Sequence, residues 1–475
     1  MFTYQKLIDT VNNKSCAILG LGVSNMPLAR LLLSLGVIKS LTVYDKKSPE
    51  QLGDEALSLR ESGVHFVCGE SCFDEICEDV IFRSPGIRPD IKGIADALKR
   101  GALLTSEIEQ FIELTPAKKF AITGSDGKTT STTLTGKFLS VGARAFVGGN
   151  IGTPLLDRCA DMTEDDSAVL ELSSFQLMTF SGSADAVAIT NLSPNHLDWH
   201  TDLDEYARAK YNIVGKDTKR VVLNAENETT RTFGKRLLTE RDVEVIFFSS
   251  SAKNYSDILP EAHQRAKTVF ERGGAIYISD GKTEERLLDY SLIRLPGRHN
   301  LENYMTAMAL TYGYVELGAY ETVAREFTGV EHRLELVRTL DGVDFYNGSI
   351  DSSPTRTIAA LSALHGRDIV IICGGYDKNL DYSPLAPALC RSARAVVLTG
   401  ATAPKIKAAL LDCSEYDPEK LCLVEADSFE DAVARSAALG RAGGCVLLSP
   451  ASASFDRFKN FAERGKYFKE LVKKL

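Results

Sequence analysis

The segment ITGSDGKTT, Ile122 to Thr130, carries the residue types and spacing best suited to chemistry. It follows an apolar run, KKFAIT (118–123), and precedes a helical pattern. Backbone N–H groups in such a loop, with those of the helix N-terminus, point at an anion. In that setting Lys128 neutralises β/γ-phosphate charge and Thr129 is placed to ligate Mg2+. Gly124, Ser125, Asp126, Gly127 and Thr130 complete the loop. The full phosphate-loop pattern begins with a glycine where this chain has Ile122, so the match is Gly-Lys-Thr in a strand–loop–helix context. A bare structural turn is the alternative, and the context favours nucleotide. The NKxD sequence that reads guanine in many GTP-binding proteins is absent, which favours ATP.

Three features downstream could serve the same site. Glu171 ends a strand in VLELSSFQL, a common position for a Mg2+ ligand, although a helix-capping carboxylate would look the same. Asn191 follows another strand in ITNLSPNHLDWH, and Lys210 sits on the next helix, in DEYARAKYNIV. His196 and His200 have the spacing of a zinc pair, but the helical Glu of HExxH is missing and Pro194 precedes them. A neutral His as Mg2+ or substrate ligand fits better. Lys210 by itself reads as a surface charge. Nearer the N-terminus, Gly20-Leu21-Gly22 leaves a strand and Asp45 ends the next one, as in a dinucleotide fingerprint. Asn25 replaces its last glycine, so a diphosphate or nucleotide-sugar fits at least as well as NAD. The N–H groups of Val23, Ser24 and Asn25 would then meet the diphosphate.

These residues need elements to hold them. CAILGLG (16–22), LTVYD (41–45), VHFV (64–67) and DVIF (79–82) read as strands, with helices at 26–35 and 50–60 between them. That is a βαβ pattern. AVLEL, AVAIT, RVVLN and VEVIFF add strands to a second unit. AIYIS (275–279) alternates and suggests a smaller antiparallel sheet, and a helix from His299 to Leu317 closes the unit. DIVIICGG, RAVVLTG, KLCLVEA and GCVLLSP supply a third. A core stops growing at roughly 250–300 residues, so 475 residues predict about three domains. We place them at 1–115, 116–318 and 319–475.

Composition narrows the class further. Hydrophobic residues at 44% and charged residues at 25% describe an ordinary globular chain, not a disordered or fibrous one. A net charge of −9 gives no general basic field for nucleic acid. No apolar run is long enough to cross a membrane, and the polar stretch 1–14 does not read as a signal peptide. The ten cysteines contain no CxxC pair; Cys68, Cys72 and Cys77 lack zinc spacing and a His partner. Reduced thiols in a cytoplasmic protein are expected.

Taken together, the motifs resemble the Mur ligase family from about residue 15 to 470. GSDGKTT, ELSSFQL, NLSPNHLD, the Lys210 helix, GRHNLEN (297–303) and EHR (331–333) occur in the family's order. LSPASASFDRFKNFAERG (448–465) and ICGGYDKNLDYSPL (372–385) resemble the member that adds D-glutamate, and the DNPR motif of the ligases adding a diamino acid is absent. The resemblance implies an α/β chain of three domains. A Rossmann-like N-terminal domain would hold the UDP end of UDP-N-acetylmuramoyl-L-alanine, with Val23, Ser24, Asp45 and Lys46 near it. A central phosphate-loop ATPase-type domain would bind ATP through Lys128, with Asn300 and Asn303 near adenine. Thr129 and Glu171 would serve one Mg2+. His196, with Lys210 as a carbamate, would serve a second, and Asn150 would touch the substrate. A Rossmann-like C-terminal domain would bring Arg333 to the terminal phosphate and hold D-glutamate through Ser352, Lys378, Ser454 and Phe461. The implied reaction is peptide-bond formation by a cytoplasmic monomer through an acyl phosphate, in peptidoglycan precursor synthesis. No membrane insertion or nucleic-acid partner is implied.

The chain departs from the family in YNGSIDSS (346–353), where Asp usually stands at Gly348 and Lys at Ile350. Asp351 could supply the missing carboxylate from a nearby position. Two other readings stay open here: a sister ligase adding another amino acid, and an inactive nucleotide-binding paralogue with a regulatory role.

Overall fold

The computed structural model describes residues 4–196, 199–295 and 297–475; Leu197 and Asp198 of the NLSPNHLD motif, residues 1–3 of the polar N-terminus and Pro296 lie outside them. Two compact units divide the chain. One comprises the residues up to 292 with 299–324, and the other 293–298 with 325–475. Three α/β sheets run through them.

The first sheet is all parallel, with spatial order His65–Cys68, Ser40–Asp45, Ser15–Leu19, Val80–Arg83, Leu103–Thr105. Its strand order reverses between Ser15–Leu19 and Val80–Arg83. Such a switch point opens a crevice at the strand C-termini, where ligands of open α/β sheets bind. The Gly20 loop and the segment after Arg83 both emerge there.

In the second sheet the strands run Ala145–Gly149, Ser167–Glu171, Lys118–Thr123, Ala186–Ile189, Arg220–Asn224, Glu244–Ser249, Ala266–Arg272, Ala275–Ser279, Glu284–Asp289. The first seven are parallel, and the last two are antiparallel. AIYIS therefore belongs to an antiparallel ribbon that continues the main sheet, joined to it by Ala266–Arg272. Lys118–Thr123 pairs with Ser167–Glu171 on one side and Ala186–Ile189 on the other, with Ile122 opposite Glu171 and Thr123 opposite Ile189. That register delivers Gly124, Glu171 and Thr190 to one edge.

The helix Lys128–Ser140 (KTTSTTLTGKFLS) is rich in β-branched threonine, a modest helix former. Burial holds it: Thr132, Thr135 and Leu134 are enclosed, and Phe138 packs edge-on to Tyr320 at 4.9 Å. Gly136 lets it approach the sheet, since a Cβ there would lie 2.5 Å from Val147 Cγ2.

In the second unit the strands order as Glu335–Leu340, Val343–Asn347, Cys445–Leu448, Ile369–Cys373, Ala393–Leu398, Cys422–Glu425. Only the first pair is antiparallel. Two helices differ from the sequence expectation. The pattern at 50–60 is split into Pro49–Leu52 and Asp54–Glu61 by Gly53, whose φ of +99° cannot continue a helix. The helix expected to Leu317 ends at Thr311, ahead of Gly313 at φ +78°. No helix among the described residues is long and apolar enough to cross a membrane.

Within the first unit, Arg83 ties the first sheet to the second. It is 1% exposed. Nη1 donates to the carbonyl of Ile87 (2.7 Å), and Nη2 to the carbonyl of Phe175 (2.9 Å) and to Thr179 Oγ1 (3.2 Å). Truncation would leave buried carbonyls without donors. Arg83→Ala should destabilise this unit by about 2–4 kcal/mol. The check is urea unfolding followed by circular dichroism; a midpoint unchanged from wild type would show that the tie is dispensable.

Candidate active site

The loop Gly124–Gly127 leaves an interior strand of the second sheet, third from one end, and is held from three sides. Asn191 Oδ1 accepts from the N–H groups of Ser125 (3.1 Å) and Asp126 (2.9 Å). Thr190 Oγ1 donates to the Asp126 carbonyl at 2.5 Å. Ser125 Oγ lies 2.8 Å from the Tyr206 hydroxyl. Gly124 has φ +145°, and a Cβ there would sit 1.9 Å from Thr190 Oγ1, so only glycine fits. At Gly127 a Cβ would lie 2.4 Å from Asn303 Oδ1. With the Ser125 and Asp126 N–H groups directed at Asn191, the anion cradle rests on the first turn of helix Lys128–Ser140. That turn includes Thr129 and Thr130, whose N–H groups have no acceptor within the helix.

Two lysines meet at one atom. Lys128 Nζ donates to the carbonyls of Gly124 (2.8 Å) and Ser125 (2.9 Å). Lys210 Nζ donates to the same Gly124 carbonyl (2.9 Å) and to Thr123 Oγ1 (3.3 Å), and lies 4.7 Å over the Tyr206 ring. Lys210 is 1% exposed, not the surface charge its isolated sequence suggests. Burial first, and the Lys128 charge second, hold its amine well below the ordinary lysine range; Glu171 and Asp126 pull the other way. No salt bridge reaches it among the described residues.

Glu171 is 2% exposed. Its Oε1 accepts from Asn150 Nδ2 at 2.8 Å, while Asn150 N–H donates to the Glu171 carbonyl, also at 2.8 Å. Its Oε2 is buried and has no hydrogen-bond partner. A buried, unsatisfied carboxylate oxygen beside a phosphate-type loop fits a hard, oxygen-seeking cation such as Mg2+. His196 is exposed, has φ +55°, and meets the Phe175 ring edge-on at 5.0 Å. No group of three or more His, Cys, Asp or Glu is assembled for a metal among the described residues. His200 differs from His196: its Nδ1 lies 3.1 Å from Glu205 Oε2 and its Nε2 2.9 Å from Ser174 Oγ. Both nitrogens are engaged, which removes it as a ligand. Asn303 Oδ1 accepts from Ser131 Oγ (3.2 Å) and its amide donates to Asn300 Oδ1 (3.3 Å), so the asparagine pair lies buried behind the loop.

At the switch point of the first sheet, Asp45 Oδ2 accepts from Leu21 N–H (2.9 Å) and Oδ1 from Lys47 N–H (2.9 Å). The Asn25 amide donates to the Gly20 carbonyl at 2.8 Å. It ties the loop that a third glycine would leave open. Val23 is 79% exposed at the loop tip, and Ser24 immediately precedes the helix Asn25–Leu35 without a side-chain capping bond. Lys46 pairs with Glu70 at 2.5 Å.

In the second unit three segments converge. Buried Arg464 binds Ser349 (Nη2 to its carbonyl, 2.9 Å) and the carbonyls of Ser452 and Ala453. Tyr376 N–H donates to the Ala453 carbonyl (2.8 Å). The Lys378 ammonium lies 5.3 Å over Phe455, next to Ser454, and Phe461 meets His332 edge-on at 5.9 Å. Ser352 follows Asp351 in the same turn. Arg333 lies between His332 and Leu334, both left-handed at φ +67° and +42°. Asp351 is buried and accepts from Ser449 Oγ at 2.8 Å. Burial pushes its carboxyl up to about 7, against the Ser449 hydrogen bond and the charges of Arg333, Arg356 and Arg464. A Cβ on Gly348 would lie 2.6 Å from Asp351 Oδ2. The Leu448 carbonyl oxygen would lie 2.7 Å from the same Cβ, so the Asp351 carboxylate and the neighbouring strand's backbone together fill the space that a side chain at 348 would take. Arg464, Tyr206 and Thr190 were not singled out from sequence. Tyr206 had a signal, because it lies four residues before Lys210 on one helix face.

Fold and site define an α/β protein organised around a nucleotide-type phosphate loop. The model of the Mur ligase middle domain matches residues 122–311, and that of the Mur ligase glutamate ligase domain matches 332–452. A UDP-N-acetylmuramoylalanine–D-glutamate ligase of Ruminiclostridium cellulolyticum is 42% identical over 471 residues, covering 98% of this chain and 97% of that one. One of the same name from Clostridium novyi is 41% identical, covering 100% and 99%. The chain belongs to the Mur ligase family. Among solved structures, UDP-N-acetylmuramate-alanine ligase of Thermotoga maritima aligns with TM-score 0.53 at 18% identity, covering 97% of this chain and 99% of that one. A UDP-N-acetylmuramoyl-L-alanyl-D-glutamate–2,6-diaminopimelate ligase aligns at 0.56 and 16%, covering 98% and 93%. These two speak to the fold alone.

Two outcomes are expected. Lys128→Ala should lower nucleotide-dependent turnover by far more than tenfold; a loss of less than about 1.4 kcal/mol of barrier would remove Lys128 from the site. Gly348→Asp should set a second carboxylate against Asp351 and destabilise the second unit by about 1–3 kcal/mol. Adding Asp351→Ala should recover the part due to the carboxylate, while the Leu448 carbonyl, 2.7 Å from a Cβ at 348, stays in place; fully additive losses in the double-mutant cycle would show that the positions do not share one space.

Proposed function

We propose that this chain uses ATP to join D-glutamate to UDP-N-acetylmuramoyl-L-alanine, a step of peptidoglycan precursor synthesis in the cytoplasm, and that it acts as a monomer. The observation that carries the proposal is the cluster at Gly124. Two lysines share its carbonyl, and a carboxylate oxygen lies buried and unpartnered nearby. The names and end-to-end similarity of the relatives support the choice of substrates.

A carboxylate is a poor electrophile, so amide formation first needs a better leaving group. Transfer of the ATP γ-phosphoryl group to the L-alanine carboxylate gives an acyl phosphate, which the D-glutamate amine then attacks. The first step brings anions together, and its cost is electrostatic. In this reading Lys128 and the first-turn N–H groups hold the β/γ-phosphates, and Arg333 offsets charge at the terminal phosphate. Two Mg2+ ions, when bound, would add further charge neutralisation. Thr129, Glu171, His196 and Lys210 would hold them, and Asn150 would orient Glu171. Asn300 and Asn303 would support the nucleotide end. Val23, Ser24, Asp45 and Lys46 would receive the UDP moiety, and Ser352, Lys378, Ser454 and Phe461 the D-glutamate. Three domains, 1–115, 116–318 and 319–475, would divide these ligands. The acyl phosphate is lost to water if exposed, so enclosure is part of the reading.

Lys210 as an ammonium would repel a cation. As a carbamate, formed by attack of its neutral amine on CO2 with loss of a proton, it becomes an oxygen ligand. Its burial, and the absence of a salt bridge to it among the described residues, support that form. The deciding assay is phosphate release with UDP-N-acetylmuramoyl-L-alanine and D-Glu, L-Glu, L-Lys or Gly in turn. Release should require D-Glu, and release without any amino acid would sink the ligase reading. In CO2-stripped buffer the rate should fall and bicarbonate should restore it. A rate indifferent to bicarbonate in both wild type and a Lys210→Ala variant would remove the carbamate.

A further inference from the structure

Arg88 has no part in the roles above, yet it uses every donor it has. Nε and Nη2 donate to Asp90 (2.9 and 2.8 Å). Nη1 donates to the Trp199 carbonyl (2.6 Å) and to Glu205 Oε2 (3.3 Å), and Nη2 also to Glu205 Oε1 (3.0 Å). Its guanidinium lies 5.0 Å over the Trp199 ring. Glu205 in turn accepts from Thr201 N–H (2.9 Å) and meets His200 Nδ1 (3.1 Å). His200 continues to Ser174 Oγ (2.9 Å), beside Phe175, whose ring contacts both His196 and His200. The chain of contacts thus runs from Arg88 to the histidine loop and to the turn after Glu171.

The same short segment reaches the other way. Ser84 and Ile87 pack against Gly20, where a Cβ would lie 3.1 Å from Ser84 Cβ and 3.3 Å from Ile87 Cδ1. Gly20 opens the loop that carries Val23 and Ser24. Residues 84–88 therefore touch the candidate diphosphate loop at one end and the His196–His200 loop at the other. A point charge would not hold this arrangement. It depends on a planar fork spanning two carboxylates and a carbonyl, which lysine cannot reproduce.

We infer that Arg88 is a positioning residue that couples occupation of the diphosphate loop to the placement of Trp199 and His200 beside the Phe175 ring that His196 meets, so that the UDP-linked substrate and Mg2+–nucleotide bind cooperatively. The inference rests on the function proposed above for those two loops. Coupling of this kind is reciprocal, and a change of at least about fivefold in affinity is its usual scale.

Trp199 is the only tryptophan and lies in the clasp, so its emission reports the loop directly. Mg2+ is titrated into the full-length chain with a non-hydrolysable ATP analogue, with and without UDP-N-acetylmuramoyl-L-alanine, and followed by Trp199 fluorescence and calorimetry. In wild type the half-saturating Mg2+ concentration should fall at least about fivefold when the UDP substrate is present. In Arg88→Ala the two titrations should coincide, while calorimetry still detects UDP-substrate binding. Arg88→Lys should behave like Arg88→Ala, and it gives the reading should Arg88→Ala fail to fold. A wild-type separation preserved in either variant overturns the inference, as does no separation in wild type with the UDP substrate bound. Wild type that binds no UDP substrate at all counts instead against the proposed function.

Discussion

One carbonyl oxygen, that of Gly124, accepts hydrogen bonds from two lysines that come from different helices. Two lysine amines share an acceptor only where the backbone fixes it firmly and where anionic groups are near. The sheet register supplies the first condition. Lys118–Thr123 lies between two parallel neighbours, so its exit loop starts from a backbone paired on both sides. Glu171, at the end of one neighbour, supplies part of the second. The glycine is forced by the same crowding, since Thr190 Oγ1 occupies the space of any Cβ. Neither lysine could take this position if the loop were free to relax.

The consequences spread outward from that point. Asn191 and Thr190 use their polar atoms to hold the loop's own backbone, and Tyr206 holds the Ser125 side-chain hydroxyl. Asn303 closes the space behind Gly127, and Asn150 fixes Glu171 through both side chain and backbone. Much of the polar chemistry in the motifs is therefore invested in rigidity. That is the expected division in a site that stabilises charge, because donors that must reorient at the moment of reaction lose most of their worth.

The strand–loop–helix context made the phosphate loop legible in sequence, and the apolar runs located most parallel strands to within a residue or two. What was hidden has identifiable causes. The strand Ala145–Gly149 ends in two glycines and lacks the apolar run that marks its neighbours. Glu335–Leu340 is half exposed along its length and lacks the continuous apolar run of a buried strand. Burial was invisible for single residues. Lys210 read as a surface charge until its helix was seen to lie against Thr123 and Gly124, and His200 matched His196 in spacing but not in environment. Spacing places two side chains on one face, whereas the partners that occupy them come from Ser174 and Glu205 and can be found only in three dimensions. The exchange at Gly348 and Asp351 sits between these cases. The sequence displayed a missing carboxylate and an extra one three residues on, and the structure sets an oxygen of the second 2.6 Å from where a Cβ at 348 would stand.

A net charge of −9 would seem to disfavour a chain whose every proposed ligand is an anion. The structure removes the conflict through distance. Charges separated by more than roughly 8–10 Å at ordinary ionic strength are largely screened, so the overall excess of carboxylates is felt weakly at a ligand. Most of the ion pairs lie on exposed surface, as with Lys92–Asp96 and Arg435–Asp431, and set solubility more than binding. Inside, Lys128 and the first helical turn present positive charge beside buried groups, where each charge acts with greater strength than in bulk water. Glu171 leaves an oxygen free there, which would repel a phosphate unless a cation stands between them. The acidic residue and the basic ones are thus complementary parts of one requirement: the site is arranged for an anion that arrives together with its metal.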